Sequence, residues 1–280
     1  MKPRTARNLQ RVTLYLLMAA TALLFLLPVL WVFSLSLKDV RQVFQYPPRL
    51  IPEAPSWANY QFLLTRSQIP TYIWNSMKIV FMTVMGTILV ATPAAYALSR
   101  FRIPRKRLVL FLILAFQMLS PMVIAIPLYR YFNQLNLINS HWGVILVYVA
   151  WQAPFATWVL KGFIDSIPIE LDEAAMIDGA TRWQSMLRVI MPVSLPGLTS
   201  AMIMIAINSW SQFIIPFVLI DSQALMPVSV GILNFQNTQE AIQVHLLAAA
   251  SILATLPALA VFIILQRFIV RALTAGAVKG

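Results

Sequence analysis

The side chains able to do chemistry fall into two groups, one neutral and one charged. The neutral group lies inside apolar stretches. Asn208, Ser211 and Gln212 are spaced i, i+3, i+4 and share one helical face, while Gln117 with Ser120, and Gln152, are isolated in other stretches. Amides and hydroxyls there can hydrogen-bond an uncharged polyol without burying a charge, and the same groups also serve as packing glue between helices. Trp210 projects to the opposite side of an ideal helix, away from those amides. The charged group is the stretch 168–192, PIELDEAAMIDGATRWQSMLRVIMP, which sets Glu170, Asp172, Glu173, Asp178, Arg182 and Arg188 between two long apolar runs. Such a stretch belongs in water, and its chemistry is that of a docking surface.

Other chemistries are poorly supplied. The chain has no cysteine and two histidines, His141 and His245. Disulfides, iron–sulfur clusters and thiolate metal sites are therefore excluded, no metal set is expected, and no nucleophile–base pair exists within an apolar run. This argues against a membrane-embedded hydrolase or acyltransferase. No G-x-x-x-x-G-K-[ST] phosphate loop is present, and the terminal GAVKG is too short to cradle phosphates. Any ATP consumed must be hydrolysed on another chain. A secondary carrier or channel for a small uncharged solute is the alternative; ion coupling usually needs ionisable groups in the membrane, and the apolar runs have none.

The elements that position these groups follow from composition. Of 280 residues, 60% are hydrophobic and 11% charged, whereas a soluble domain carries about 25% charged residues. Charge-free runs at 12–37, 79–99, 108–129, 142–160, 189–220 and 246–266 are each about the 17–25 residues of a bilayer-spanning helix, or longer. The expected fold is all-α, a polytopic membrane protein with six transmembrane helices. The first run is too long for a removable signal peptide and reads as an anchor. Net charge is +12, and with the N-terminus inside, fifteen of the 21 lysines and arginines fall on inner segments. The positive-inside rule then places both termini and the 161–188 loop in the cytoplasm. The basic RFRIPRKR at 100–107 is a short link at the headgroups, not a nucleic-acid site. Residues 38–72, with five prolines, read as an irregular outer loop, and 221–245 as a second, more polar one. Each span contains a proline, which kinks helices.

Within 168–192 the punctuation is detailed. Pro168 suits the first position of a helix, and Glu170, Asp172 and Glu173 suit its positive end. Gly179 sits where a left-handed cap would end it. Thr181 with Gln184 makes a capping box for a second helix, whose Trp183, Met186, Leu187 and Ile190 form an apolar stripe ended by Pro192. Leu171, Ala174, Ala175 and Asp178 are expected on one face of the first helix. Paired alanines there admit a close partner, and flanking acids would repel anionic lipid.

Glu173-Ala174-Ala175, three residues, Gly179, nine residues, then Val189-Ile190-Met191-Pro192 resembles the EAA motif of permease subunits of binding-protein-dependent ABC importers. Val189 and Met191 stand at its two aliphatic positions, both conservative departures. WANYQFLL at 57–64, NSM at 75–77, AYALSRF at 95–101 and RFIVRALTAGAVKG at 267–280 extend the resemblance to carbohydrate permeases, of the maltose-permease G type. NSWSQF at 208–213 departs from the W-N-(D/E)-F often found in relatives, so a role for that acid cannot be carried over.

The resemblance implies one transmembrane domain over 1–280, its core about 70–268, in a prokaryotic inner membrane. It implies a second homologous permease subunit, two ATP-binding cassette subunits that hold ATP and Mg, and an extracytoplasmic solute-binding protein. The chain itself would hold no cofactor and would not be an enzyme. The solute would be a sugar or related polyol, lining residues being Asn208, Ser211, Gln212, Gln117 and Gln152. Coupling to the ATPase would fall to Leu171, Glu173, Ala174, Ala175, Asp178 and Gly179 in the cytoplasmic loop 168–192. The tail Leu273–Gly280 is read as a flexible terminus, with sensing of the ATPase subunits as the second reading.

Overall fold

Long apolar runs that must satisfy their own backbone polar groups form helices. The computed structural model shows this throughout: no residue among those described, 4–235 and 243–277, lies in a strand. In chain order the helices are α1 (Arg4–Ser36), α2 (Val40–Val43), α3 (Ala58–Arg66), α4 (Ile69–Arg100), α5 (Lys106–Phe116), α6 (Pro121–Gln134), α7 (His141–Asp165) and α8 (Glu170–Ile177). There follow α9 (Arg182–Ser185), a π-helical turn (Met186–Ile190), α10 (Met191–Val193), α11 (Leu195–Ser211), α12 (Ile214–Leu219), α13 (Val228–Gly231) and α14 (Val244–Ala277). Among the described residues, four helical segments are long and apolar enough to cross a membrane: Arg11–Ser36, Ile69–Arg100, His141–Asp165 and Val244–Ile264. Two further pairs, Lys106–Phe116 with Pro121–Gln134 and Arg182–Val193 with Leu195–Ser211, are bent by 84° and 79° and bring the number to six if each pair is one span.

The bends correct the expectation of continuous third and fifth spans. At the first, Ser120 accepts a hydrogen bond from the Met122 N–H at 3.3 Å, and Pro121 opens α6. Ser120 is thus a helix cap. At the second, the chain turns at Ser194, and Pro196 lies in the first turn of α11. Pro192 does not end the second loop helix, which runs on through Val193. The segment 38–72, expected as an irregular loop, is more regular than that, since it contains α2, α3 and the start of α4.

The chain forms two compact units, 1–67 with 232–255, and 68–231 with 256–280. In the first, α1 exposes apolar side chains all round, Phe25 and Leu24 among them, as a lipid-facing helix does. Its end is tied to α3: Ser36 Oγ lies 2.6 Å from the Tyr60 hydroxyl, and the Asn59 amide donates to the Ser36 and Lys38 carbonyls. The buried Lys38 donates to the Arg49 carbonyl and lies 5.3 Å from the Trp31 ring centre.

The second unit holds both candidate sites. Its main core joins α4, α7 and α11 through Ile88, Ala91, Ala95, Ala156, Leu160, Ala201 and Ile205. Small residues at that seam let helices approach closely. Gly197 does the same between α11 and α7: a Cβ there would lie 2.4 Å from the Phe163 ring. A second cluster joins α4, α6, α7 and α12 through Ile79, Phe132, Val144, Tyr148, Ile215 and Leu219. The segment 221–228 is pinned by side chains. The Asn75 amide donates to the Ala224 and Met226 carbonyls, and Asn139 Oδ1 accepts from the Asp221 and Ser222 N–H groups.

Candidate functional site: a docking element and a neutral cavity

The acidic stretch folds as two short helices around a fixed turn. Acids in the first turn of α8 complement its dipole. The helix starts at Glu170, so Pro168 precedes it instead of occupying its first position. At the other end Gly179 has φ +85°, a conformation costly to side-chain-bearing residues. The Ala180 N–H reaches the Ala175 carbonyl at 3.0 Å and the Gly179 N–H reaches Met176 at 3.1 Å. This is a Schellman closure. Thr181 then opens α9 with the reciprocal capping box: the Gln184 N–H donates to Thr181 Oγ1 at 3.3 Å, and the Thr181 N–H to Gln184 Oε1 at 2.8 Å.

The faces of α8 differ from those expected. Ala175 is buried, and so is Asp172, which sequence reading counted among the exposed acids. The exposed face carries Leu171, Glu173, Ala174, Ile177 and Asp178, followed by Gly179. Asp178 is the C-terminal cap of α8. Ile177 is 86% exposed, an apolar side chain presented to water beside acids. The stripe of the second helix also splits: Met186 and Ile190 are buried, Trp183 and Leu187 exposed. Three of the four, Met186, Leu187 and Ile190, lie in the π-helical turn at 186–190, and such turns recur at functional sites.

Asp172 is the pin of the element. One carboxylate oxygen accepts from the Tyr96 hydroxyl at 2.8 Å and from Ser185 Oγ at 2.7 Å; the other pairs with Arg100 Nε at 2.7 Å. Arg100 Nη2 also donates to the Ile167 carbonyl at 2.9 Å. Nearby, Arg182 lies 5.0 Å from the Phe101 ring, and Asp165 pairs with Lys161 and accepts from Ser99 Oγ. Sequence reading passed over Arg100 and Tyr96, although AYALSRF at 95–101 ends a span with an arginine that needs a partner.

All five candidate pathway residues line one cavity of about 430 Å³, together with Tyr148, Trp151, Phe155 and Ser209. Small-molecule sites run to about 300–1,000 Å³. None of its lining residues is Asp, Glu, Lys, Arg or His. Several amides are already engaged: Gln117 donates to the Trp151 carbonyl at 3.0 Å, and the buried Gln152 to Ser209 Oγ at 3.4 Å. Ser211 bonds back to the Ile207 carbonyl, and Gln212 Oε1 accepts from the Phe213 N–H, closing the end of α11. The exposed Asn208 side chain has no hydrogen-bond partner among the described residues. Trp210 does not line the cavity; Trp151, which packs against Phe116, is its tryptophan. Helical spacing already turned Trp210 away from the amides; Trp151 is the lining residue that the sequence did not mark.

The tail Leu273–Gly280 falls at the margin of what is described. The backbone is helical to Ala277, and residues 278–280 lie outside the described residues.

Comparison with known proteins agrees over the whole chain. The trehalose transport system permease protein SugB of Mycobacterium tuberculosis is 34% identical over 256 residues, 91% of this chain and 93% of that protein. The sulfoquinovosyl glycerol transport system permease protein SmoH of Agrobacterium fabrum is 33% identical over 255 residues, 91% and 89% respectively. The fold is similar to that of a chain in the crystal structure of a bacterial ABC transporter that imports the acidic polysaccharide alginate. The TM-score is 0.80 at 24% identity, with 95% of this chain and 98% of that one covered. Residues 87–275, which include the docking element and the cavity, match the model of the binding-protein-dependent transport system inner membrane component, and the chain belongs to that family.

Proposed function

We propose that this protein is one transmembrane subunit of an ATP-driven importer for a sugar or related polyol. The observation that carries the proposal is α8: a short helix, closed at its C-terminal end by the Gly179 turn, that presents Leu171, Glu173, Ala174 and Ile177 outward. Such a face fits a groove of a soluble protein better than a membrane surface, because interfacial helices are usually basic. The occupied groove belongs to an ATP-binding cassette subunit, one of two that hold ATP and Mg and do the hydrolysis. This chain holds no cofactor and is not an enzyme.

In this reading each bent pair crosses the bilayer as one span. The chain is then a single six-span domain with both termini and loop 168–192 in the cytoplasm, in a prokaryotic plasma membrane. A second, homologous permease completes the pathway, and an extracytoplasmic binding protein delivers the solute. Closure of the ATPase subunits draws α8 with it and changes the side to which the cavity opens. The neutral cavity supports an uncharged solute. Asn208 supplies a free amide, and Trp151 an apolar ring on which a sugar face can stack. The named relatives that carry trehalose and sulfoquinovosyl glycerol support the carbohydrate class.

The test is reconstitution of the assembly purified through a tag on this chain. The purified material is expected to contain an ATPase, and vesicles are expected to take up trehalose, maltose or sulfoquinovosyl glycerol only with ATP and the binding protein. Uptake driven by an ion gradient without ATP would contradict the proposal.

A further inference from the structure

We infer that Arg100 and Asp172 are a positioning pair that carries the movement of α8 into α4, an inference that rests on the importer reading above. Both covalent connections of α8 are interrupted. On one side the chain passes from α7 through the non-helical 166–169, and on the other it passes Gly179 and then the 79° bend at Ser194. Neither can act as a stiff rod. The stiff connection is made by side chains. Arg100 and Asp172 are 7% and 4% exposed and 2.7 Å apart. Tyr96 of α4, Ser185 of α9 and the Ile167 carbonyl beyond α7 complete the junction. Four chain segments thus meet at one ion pair, and Arg182 over Phe101 adds a second contact to the same end of α4.

A buried ion pair is not in itself a device for stability, because apolar residues of similar volume often serve as well. What it supplies is direction. Three donors around one carboxylate allow one placement of α8 against α4. Helix α4 in turn packs along α7 and α11, whose side chains line the cavity. The route from the docking face to the cavity wall therefore enters through α4.

The chain has no cysteine, so spin labels go only where they are placed. In the complete purified assembly, one label pair is Glu170→Cys, exposed and outside the docking face, with Trp74→Cys, joining α8 to α4. A second is Trp74→Cys with Met204→Cys, joining α4 to α11; all three positions are exposed. The first pair is expected to keep one distance with and without MgATP and orthovanadate, and the second to shift. In Arg100→Met/Asp172→Leu, an exchange chosen because buried pairs tolerate it, the first distance should broaden. The population that shifts at the second pair should fall about 2- to 30-fold. Asp172→Asn, which keeps the shape, should show the same loss and serves if the apolar exchange does not reach the membrane. A first pair that moves with nucleotide in the unaltered protein, or variants that shift the second pair as fully as it does, would overturn the inference. A normal shift at the second pair with no uptake of trehalose, maltose or sulfoquinovosyl glycerol would refute the sugar reading and leave the positioning pair standing.

Discussion

The docking element and the cavity use polar groups in opposite ways. Around Asp172 the groups are buried and bonded to one another: one carboxylate takes three donors, Tyr96 and Arg100 from α4 and Ser185 from α9. Around the cavity they are neutral, several are bonded to backbone, and Asn208 is left exposed without a partner among the described residues. A fully satisfied ionic junction fixes one geometry, whereas neutral amides at the rim of a cavity can exchange water for a solute at low cost. The first arrangement suits transmission of force, and the second suits weak, reversible contact with something that must leave again.

The contrast can be broken most severely at the docking element. Gly179→Pro cannot adopt φ +85°, so the Schellman turn is lost. Uptake is expected to fall to background while membrane insertion, measured by blotting of membrane fractions, stays near normal. Arg100→Met alone leaves Asp172 as an uncompensated buried charge. A loss of about 3–5 kcal/mol is expected, read as a lower thermal midpoint of the detergent-purified assembly. Thr181→Ala removes half of the capping box and should cost about 1 kcal/mol by the same measurement. The cavity should respond more gently. Asn208→Ala is expected to raise the apparent KM for uptake about 2- to 13-fold, the worth of one hydrogen bond. Ser211→Ala, whose hydroxyl already bonds within its own helix, should change the KM less than Asn208→Ala does. Equal effects at 208 and 211 would dissolve the distinction between a free amide and a packed one.

Local signals were legible in the sequence, and tertiary ones were not. Gly179 and the Thr181–Gln184 box could be read because a turn and a cap are decided by a few neighbouring residues. The clustering of Asn208, Ser211, Gln212, Gln117 and Gln152 in one cavity followed from polar residues being rare in apolar helices. The breaks at 117–120 and at Ser194 were hidden because hydropathy continues through them, although Ser120 with Pro121, and Ser194 with Pro196, are local helix-start signals. Asp172 was misread as exposed, since the acids at 170, 172 and 173 look alike until Arg100, 72 positions away, claims one of them. Trp151 and Trp210 also differ. Trp210 was legible, because ideal helical spacing turns it away from the amides, whereas nothing local marked Trp151 as a lining residue.

In the proposed importer the outward face of α8 meets an ATPase subunit. A photoreactive cross-linker placed at Ile177 in the purified assembly probes that contact most directly, with a second protein carrying it at the buried Ala175 as the control. A strong cross-link is expected from position 177 to an ATP-binding subunit and little from 175. Cross-links from 177 to lipid alone, or to no ATP-binding protein, would contradict it.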